Sequence, residues 1–192
     1  APGDYYLEYN GCTIDGNILV SGNGANLTIT AYNTTFRGTV GIGIGDSVIN
    51  IKGDGITFTG DVTNAYGWYS TGDYLFNDDS NYILGYIPGS HSLTQNSSEI
   101  PLYKGTINVS GMKESGADGQ ITFLGQVVSV FEFNINGGNI TFGNNMSGMV
   151  AVAAGTFNIH SGSVSFNSNV YVSANYNSQR DTELNVTGGT VR

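Results

Sequence analysis

The chain is poor in most residues that announce a fold or a reaction. One cysteine, Cys12, cannot form an internal disulfide, and no zinc-type spacing of Cys and His is present. In a secreted protein such a cysteine is expected to be buried or to bridge two chains. Six Lys and Arg stand against fifteen Asp and Glu, for a formal net charge of −9. The basic residues do not cluster, so no surface can neutralise a row of phosphates, and nucleic-acid binding is excluded. The longest nearly uncharged apolar run, Met149 to Ala154, is far short of the ~20 residues that span a bilayer. No membrane span is expected.

What fills the 192 residues is Gly, Asn, Ser and Thr, 87 in all. Leu, Ile, Val and Phe still number 49, about a quarter of the chain, enough to support a core rather than a disordered linker. These apolar residues recur. Thr13-Ile14-Asp15-Gly16, Thr35-Phe36-Arg37-Gly38 and Thr57-Phe58-Thr59-Gly60 are spaced by 22 residues, with Ile18, Val40 and Val62 following in register. Leu27-Thr28-Ile29 and Ile49-Asn50-Ile51 keep the same shift. In the C-terminal half the pattern apolar-Asn-apolar returns at Ile107 to Val109, Phe133 to Ile135, Phe157 to Ile159 and Leu184 to Val186, at shifts of 26, 24 and 27. Glycine-containing turns follow, at Gly111, Gly137, Gly138, Gly162, Gly188 and Gly189.

Short alternating strands separated by Gly and Asn turns at such a period predict an all-β, parallel β-helix of about seven rungs, 22 to 27 residues each, in a single domain over 1–192. Equivalent positions then stack along the axis about 4.8 Å apart. Phe36, Phe58, Phe123, Phe142 and Phe166 are predicted to form an interior column, and Asn50, Asn108, Asn134, Asn158 and Asn185 an outward one. The chain thereby resembles the right-handed parallel β-helix proteins, that is, the pectate-lyase-like superfamily and the passenger domains of surface adhesins, over residues 7–192 apart from one insertion. An antiparallel β-sandwich of the pilin-like kind is the alternative, since it too has short alternating strands.

The resemblance implies a test for catalysis. Polysaccharide-cleaving members carry carboxylates, usually with Arg, Lys or His, on the outer face of consecutive rungs. Here Asp15, Arg37 and Thr59 share one column, and Asn17, Thr39 and Asp61 another, so no column has adjacent carboxylates. Asp15 and Arg37 are predicted to form a surface ion pair, and His160 to be a solvent-facing turn residue. No catalytic residue is expected, and no cofactor.

The insertion, residues 64–103, differs in composition. It holds Trp68, the only Trp, six of the twelve Tyr, Pro88 and Pro101, and the acidic Asp73, Asp78 and Asp79. Asn77-Asp78-Asp79 matches part of a polygalacturonase-like motif whose other elements are missing. The same carboxylates with Asn77 and Asn81 offer oxygens of the kind Ca²⁺ accepts, but neither an EF-hand nor a nonapeptide calcium pattern is present, and no metal site is expected. Trp68, Tyr69 and Tyr74 are candidates for lateral contact or for stacking on sugar rings. They carry the alternative function, a carbohydrate-binding adhesin or a polysaccharide-degrading domain.

Seven Asn-x-Ser/Thr sequons occur, at Asn26, Asn33, Asn96, Asn108, Asn139, Asn145 and Asn185, which makes N-linked glycans expected on a secreted chain. The opening Ala1-Pro2-Gly3 has the look of a processed or excerpted form. The first strand is expected almost at once, at Tyr5, Tyr6, Leu7 and Tyr9, and the last at Leu184, Val186 and Val191, with no capping segment outside them. Strand edges of this kind can be extended by another chain. The expectation is therefore an extracellular, cell-surface structural glycoprotein, a subunit that polymerises head to tail with copies of itself.

Overall fold

The computed structural model describes residues 3–21, 24–43, 46–66, 105–129, 131–143, 149–153, 156–167, 169–173 and 183–192. No helix occurs among them, and in particular none long and apolar enough to cross a membrane. Twenty strands build three sheets. The first contains β1 (Asp4–Asn10), β4 (Asn26–Tyr32), β7 (Val48–Asp54), β10 (Thr106–Gly111), β13 (Glu132–Gly137), β16 (Thr156–Ile159) and β19 (Glu183–Val186), in that order. The second contains β2 (Thr13–Ile14), β5 (Thr35–Phe36), β8 (Ile56–Phe58), β11 (Gln120–Phe123), β14 (Asn139–Phe142), β17 (Ser163–Phe166) and β20 (Thr190–Val191). The third contains β3 (Ile18–Val20), β6 (Val40–Gly43), β9 (Val62–Tyr66), β12 (Val127–Ser129), β15 (Met149–Ala153) and β18 (Asn169–Ser173).

Each strand of a sheet pairs with the strand one course later, always in parallel; the one antiparallel contact among the described residues is an isolated bridge between Met112 and Asp118. This is a β-solenoid, and a sandwich built of antiparallel hairpins is not favoured. The 22-residue repeat becomes the pairing register directly, as Leu27 lies beside Ile49 and Phe36 beside Phe58. The longer shifts do the same: Ile107 pairs with Phe133, Phe133 with Phe157 and Phe157 with Leu184. The expected count of about seven rungs is corrected to about five turns. Five strands of the first sheet have a neighbour on both sides, whereas β1 and β19 are edges. Counting repeats in a sequence does not distinguish a strand enclosed by its neighbours from one that closes the stack.

Alternation explains the core. Within β4 every second residue, Leu27, Ile29 and Ala31, is fully buried while Thr28 and Thr30 are half-buried on the outer face. Phe36, Phe58, Phe123, Phe142 and Phe166 stack as one column with ring centroids 4.8, 5.0, 5.1 and 5.2 Å apart and near-parallel planes. A shorter stack, Phe133 on Phe157 at 4.8 Å, meets that column edge-on through Phe142 and Phe166. Offset stacking and edge contacts are the two favourable aromatic geometries, so the sheet spacing itself sets the ring spacing.

The corners depend on glycine where backbone approaches backbone. A Cβ on Gly60 would stand 2.2 Å from the Gly38 carbonyl oxygen, and one on Gly125 2.3 Å from that of Gly60. Strand β9 carries the wall through Tyr66, past the boundary at Asn64 that composition suggests. Asn64 is buried, and its amide donates to Ser129 Oγ at 3.1 Å, which in turn donates to the Glu132 carbonyl at 2.6 Å. A polar pair thus crosses the third sheet with its hydrogen bonds made.

Candidate assembly interface

The two ends of the solenoid are where apolar side chains reach the surface. Among the described residues the exposed large hydrophobics are Tyr5, Tyr6, Leu19, Leu184, Val186 and Val191. All six lie on the edge strands β1, β3, β19 and β20. Tyr5 and Leu184 occupy the same inward column as Leu27, Ile49 and Phe157. Leu27, Ile49 and Phe157 are completely buried, whereas Leu184 is 52 % exposed. Leu184 therefore points into the core direction and lacks only the next layer above it. Val186, 51 % exposed, stands in the column of Ile29, Ile51 and Ile159, and Val191 in that of Ile140 and Val164. At the opposite end Leu7 and Tyr9 are half-buried, Tyr9 meeting Phe36 edge-on at 5.5 Å.

Tyr6 differs from its neighbours. It pairs with Thr28 and so belongs to the outward column that continues through Asn50. It is 73 % exposed on the flank of the solenoid and forms part of the rim of the end face rather than its apolar centre. One residue of these ends, Leu19, escaped the sequence reading, and Cys12 was read only as buried or bridging, without its column. Leu19 sits outward at the middle of β3. Cys12 is half-buried with its sulfur 3.8 Å from Thr34 Oγ1. It precedes Thr13 as Thr34 precedes Thr35 and Ile56 precedes Thr57, and so heads a core column; the 22-residue spacing carries that signal, masked by the polar Thr34 in second place.

The outer face of the first sheet carries the predicted asparagine column as a continuous hydrogen-bonded chain. Asn108 donates to Asn50 at 2.9 Å, Asn134 to Asn108 at 2.9 Å, Asn158 to Asn134 at 2.8 Å and Asn185 to Asn158 at 3.2 Å. Asn50 extends it to Thr28 Oγ1 at 3.3 Å. This bears on the sequons. The Nδ2 atoms of Asn108 and Asn185, to which a glycan would attach, are already donors in the chain. Asn26 is half-buried and donates to Asp4 at 2.7 Å. Asn33 and Asn139 are exposed, Asn33 at a corner with φ of 47°. Asn96 and Asn145 lie outside the described residues, as do Trp68, Tyr69, Tyr74, Asp73, Asp78, Asp79, Asn77 and Asn81.

Arg37 and Asp15 pair at 3.0 Å with both side chains largely exposed, a contact worth little in solvent. His160 is exposed, its Nδ1 3.4 Å from Thr187 Oγ1. No group of three or more His, Cys, Asp or Glu able to hold a metal occurs among the described residues. No family model, no curated protein and no solved structure matches the chain. The resemblance to the β-helix proteins accordingly stands at the level of architecture, a parallel β-solenoid.

Proposed function

We propose that the protein is a structural subunit that assembles end to end through strand addition, as part of an extracellular filament, sheath or layer at a cell surface. The observation that supports this reading is the location of the exposed core-column residues. Leu184, Val186 and Val191 at one end and Tyr5 at the other continue columns that are sealed in every enclosed course. Fully burying an exposed side chain of this kind is worth about 1.5–3 kcal/mol, of which about half remains to be gained at these half-exposed positions, and the unpaired edge of β1 or β19 offers main-chain groups for a further strand. Contact between two different ends is heterologous and propagates without closing. On this reading N-glycans sit at exposed sequons such as Asn33 and Asn139, and Trp68, Tyr69 and Tyr74 of the insertion 64–103 contribute lateral contacts. The family kinship proposed is with the right-handed parallel β-helix proteins, pectate-lyase-like or of the surface-adhesin type.

Electron microscopy of the protein over a range of concentrations tests the reading. Fibres of constant width are expected. The double substitution Leu184→Lys and Val186→Lys places two charges in the joint, and is expected to leave a β-rich monomer by circular dichroism and no fibres. Intact fibres from that variant would sink the end-to-end reading, and monodisperse particles of the unaltered protein at every concentration would redirect attention to sugar binding by Trp68, Tyr69 and Tyr74.

A further inference from the structure

Resting on the end-to-end reading, we infer that copies join in one register: β19 of one copy lies parallel to β1 of the next, with Leu184 beside Tyr5 and Val186 beside Leu7, while β20 lies beside β2 with Val191 on Cys12, so that the single thiol is sealed inside the joint.

The register follows from the columns. Tyr5 and Leu184 are the two ends of one inward column, and Leu7 and Val186 the two ends of the next. In the second sheet Val191 ends the column that runs back through Val164, Ile140 and Ile121 to Ile56. Cys12 begins that column, since its carbonyl accepts from Thr35 N as the Thr34 carbonyl accepts from Thr57 N. The corner between the two sheets has the same length at the two ends, so both can be continued together without a looped-out segment: Leu7 and Cys12 are five residues apart, and so are Val186 and Val191. Ile29 to Thr34 and Ile159 to Val164, within the wall, show the same separation, whereas Val109 to Ile121 carries an extended corner of twelve.

Strand polarity fixes the orientation of the second copy. The wall pairs of the described residues are all parallel, and a copy displaced along the axis presents β1 to β19 in that sense. A head-to-head arrangement would set the edge strands antiparallel and put unlike columns in contact. The third sheet has six strands, one fewer than the others. The register is set by the first two sheets, which have seven strands each among the described residues. Outside the core the same register sets Glu183 beside Asp4 and Asn185 beside Tyr6.

A disulfide reads the register. Neighbouring parallel strands lie about 4.8 Å apart, within the roughly 4.4–6.8 Å between Cα atoms that a disulfide spans. Val191→Cys, in the background that retains Cys12, is assembled and then oxidised by dissolved oxygen with a copper catalyst, each bond taking two electrons and two protons from two thiols. The expected result is a ladder of covalent dimers, trimers and longer species that collapses on reduction. Leu184→Cys in the same background lies on the first sheet and is expected to give none. In the unaltered protein, alkylation of Cys12 by iodoacetamide is expected to slow at least tenfold in fibres relative to dilute monomer.

Fibres without the Val191→Cys ladder, a ladder from Leu184→Cys instead, or Cys12 alkylated equally fast in fibres and monomer would each overturn the register while leaving end-to-end assembly standing. Monomer alone at every concentration would overturn both.

Discussion

Glycine at a corner and glycine beside open space make different demands on the chain, and the difference is measurable at single residues. Gly60 lies so close to the course before it that a methyl group would meet the Gly38 carbonyl oxygen at 2.2 Å, backbone against backbone with no flexible tip to yield. Gly16, at the equivalent point of the edge course, has nothing within 4 Å of its Cβ position. Gly60→Ala is expected to destabilise by about 1–3 kcal/mol, the usual cost of forcing atoms into a packed site. Gly16→Ala is expected to stay within about 0.5 kcal/mol, as surface changes do. Urea unfolding of the two variants side by side checks the contrast, and equal losses would mean that the corner spacing is not rigid. At this scale the sequence was informative. The recurring Thr-x-x-Gly pattern placed both glycines at one point of the 22-residue repeat, and the phenylalanine column was legible because Phe36, Phe58, Phe123, Phe142 and Phe166 each follow a Thr or Ser on an alternating strand. Cys12 was expected to be buried or to bridge two chains, but the column it heads was not legible, because Thr34 interrupts the apolar identity of that column.

At the scale of elements, the asparagine chain along the first sheet is a cross-strand device that no single strand possesses. Asn134 stands in its middle, donating to Asn108 and accepting from Asn158. Asn134→Ala would leave Asn108 Oδ1 without its donor, and Asn158 Nδ2 with Glu132 Oε1 at 3.2 Å as its remaining partner. Leaving a buried polar group unpaired costs about 1–3 kcal/mol; Asn108 is half-buried and the buried Asn158 keeps Glu132, so a loss of about 1 kcal/mol is expected. Asn185→Ala removes only the terminal member and is expected to cost less than half as much. Thermal unfolding separates them; identical losses would show that the chain of amides is not cooperative. The same register that made these amides legible as a column does not show what holds them: Asn108 and Asn185 face outward, and the nitrogen of each is bonded to a neighbouring course. Strand ends were less legible than strand centres: β9 runs to Tyr66 although composition changes at Asn64, because a buried Asn bonded to Ser129 looks, in sequence, like the start of a polar loop.

For the whole molecule, the balance to be struck in assembly is between apolar column ends and like charge. Each copy carries a formal −9, and net charge of one sign opposes association over distances comparable to the Debye length. That length is about 30 Å at 0.01 M salt and about 8 Å at 0.15 M, so at low salt most of the charge on two abutting copies is mutually felt, and at physiological salt only the charge near the joint. The proposed register adds a local term, since Glu183 of one copy falls beside Asp4 of the next, each already holding an amide, Asn185 at 3.0 Å and Asn26 at 2.7 Å. Apolar burial at Tyr5, Leu184, Val186 and Val191 gains slightly from salt, and the repulsion is screened by it, so both act in one direction. Raising sodium chloride from about 0.01 to 0.15 M is expected to lower the concentration at which fibres appear several-fold, read by sedimentation of assembled protein. Asp4→Asn, which removes the carboxylate at the joint and leaves most of the net charge, is expected to lower that concentration at both salt levels and to flatten its salt dependence only in part. A threshold that rises with salt would mean that opposite charges draw the copies together, and the contact would then lie on the flanks of the solenoid instead of its ends.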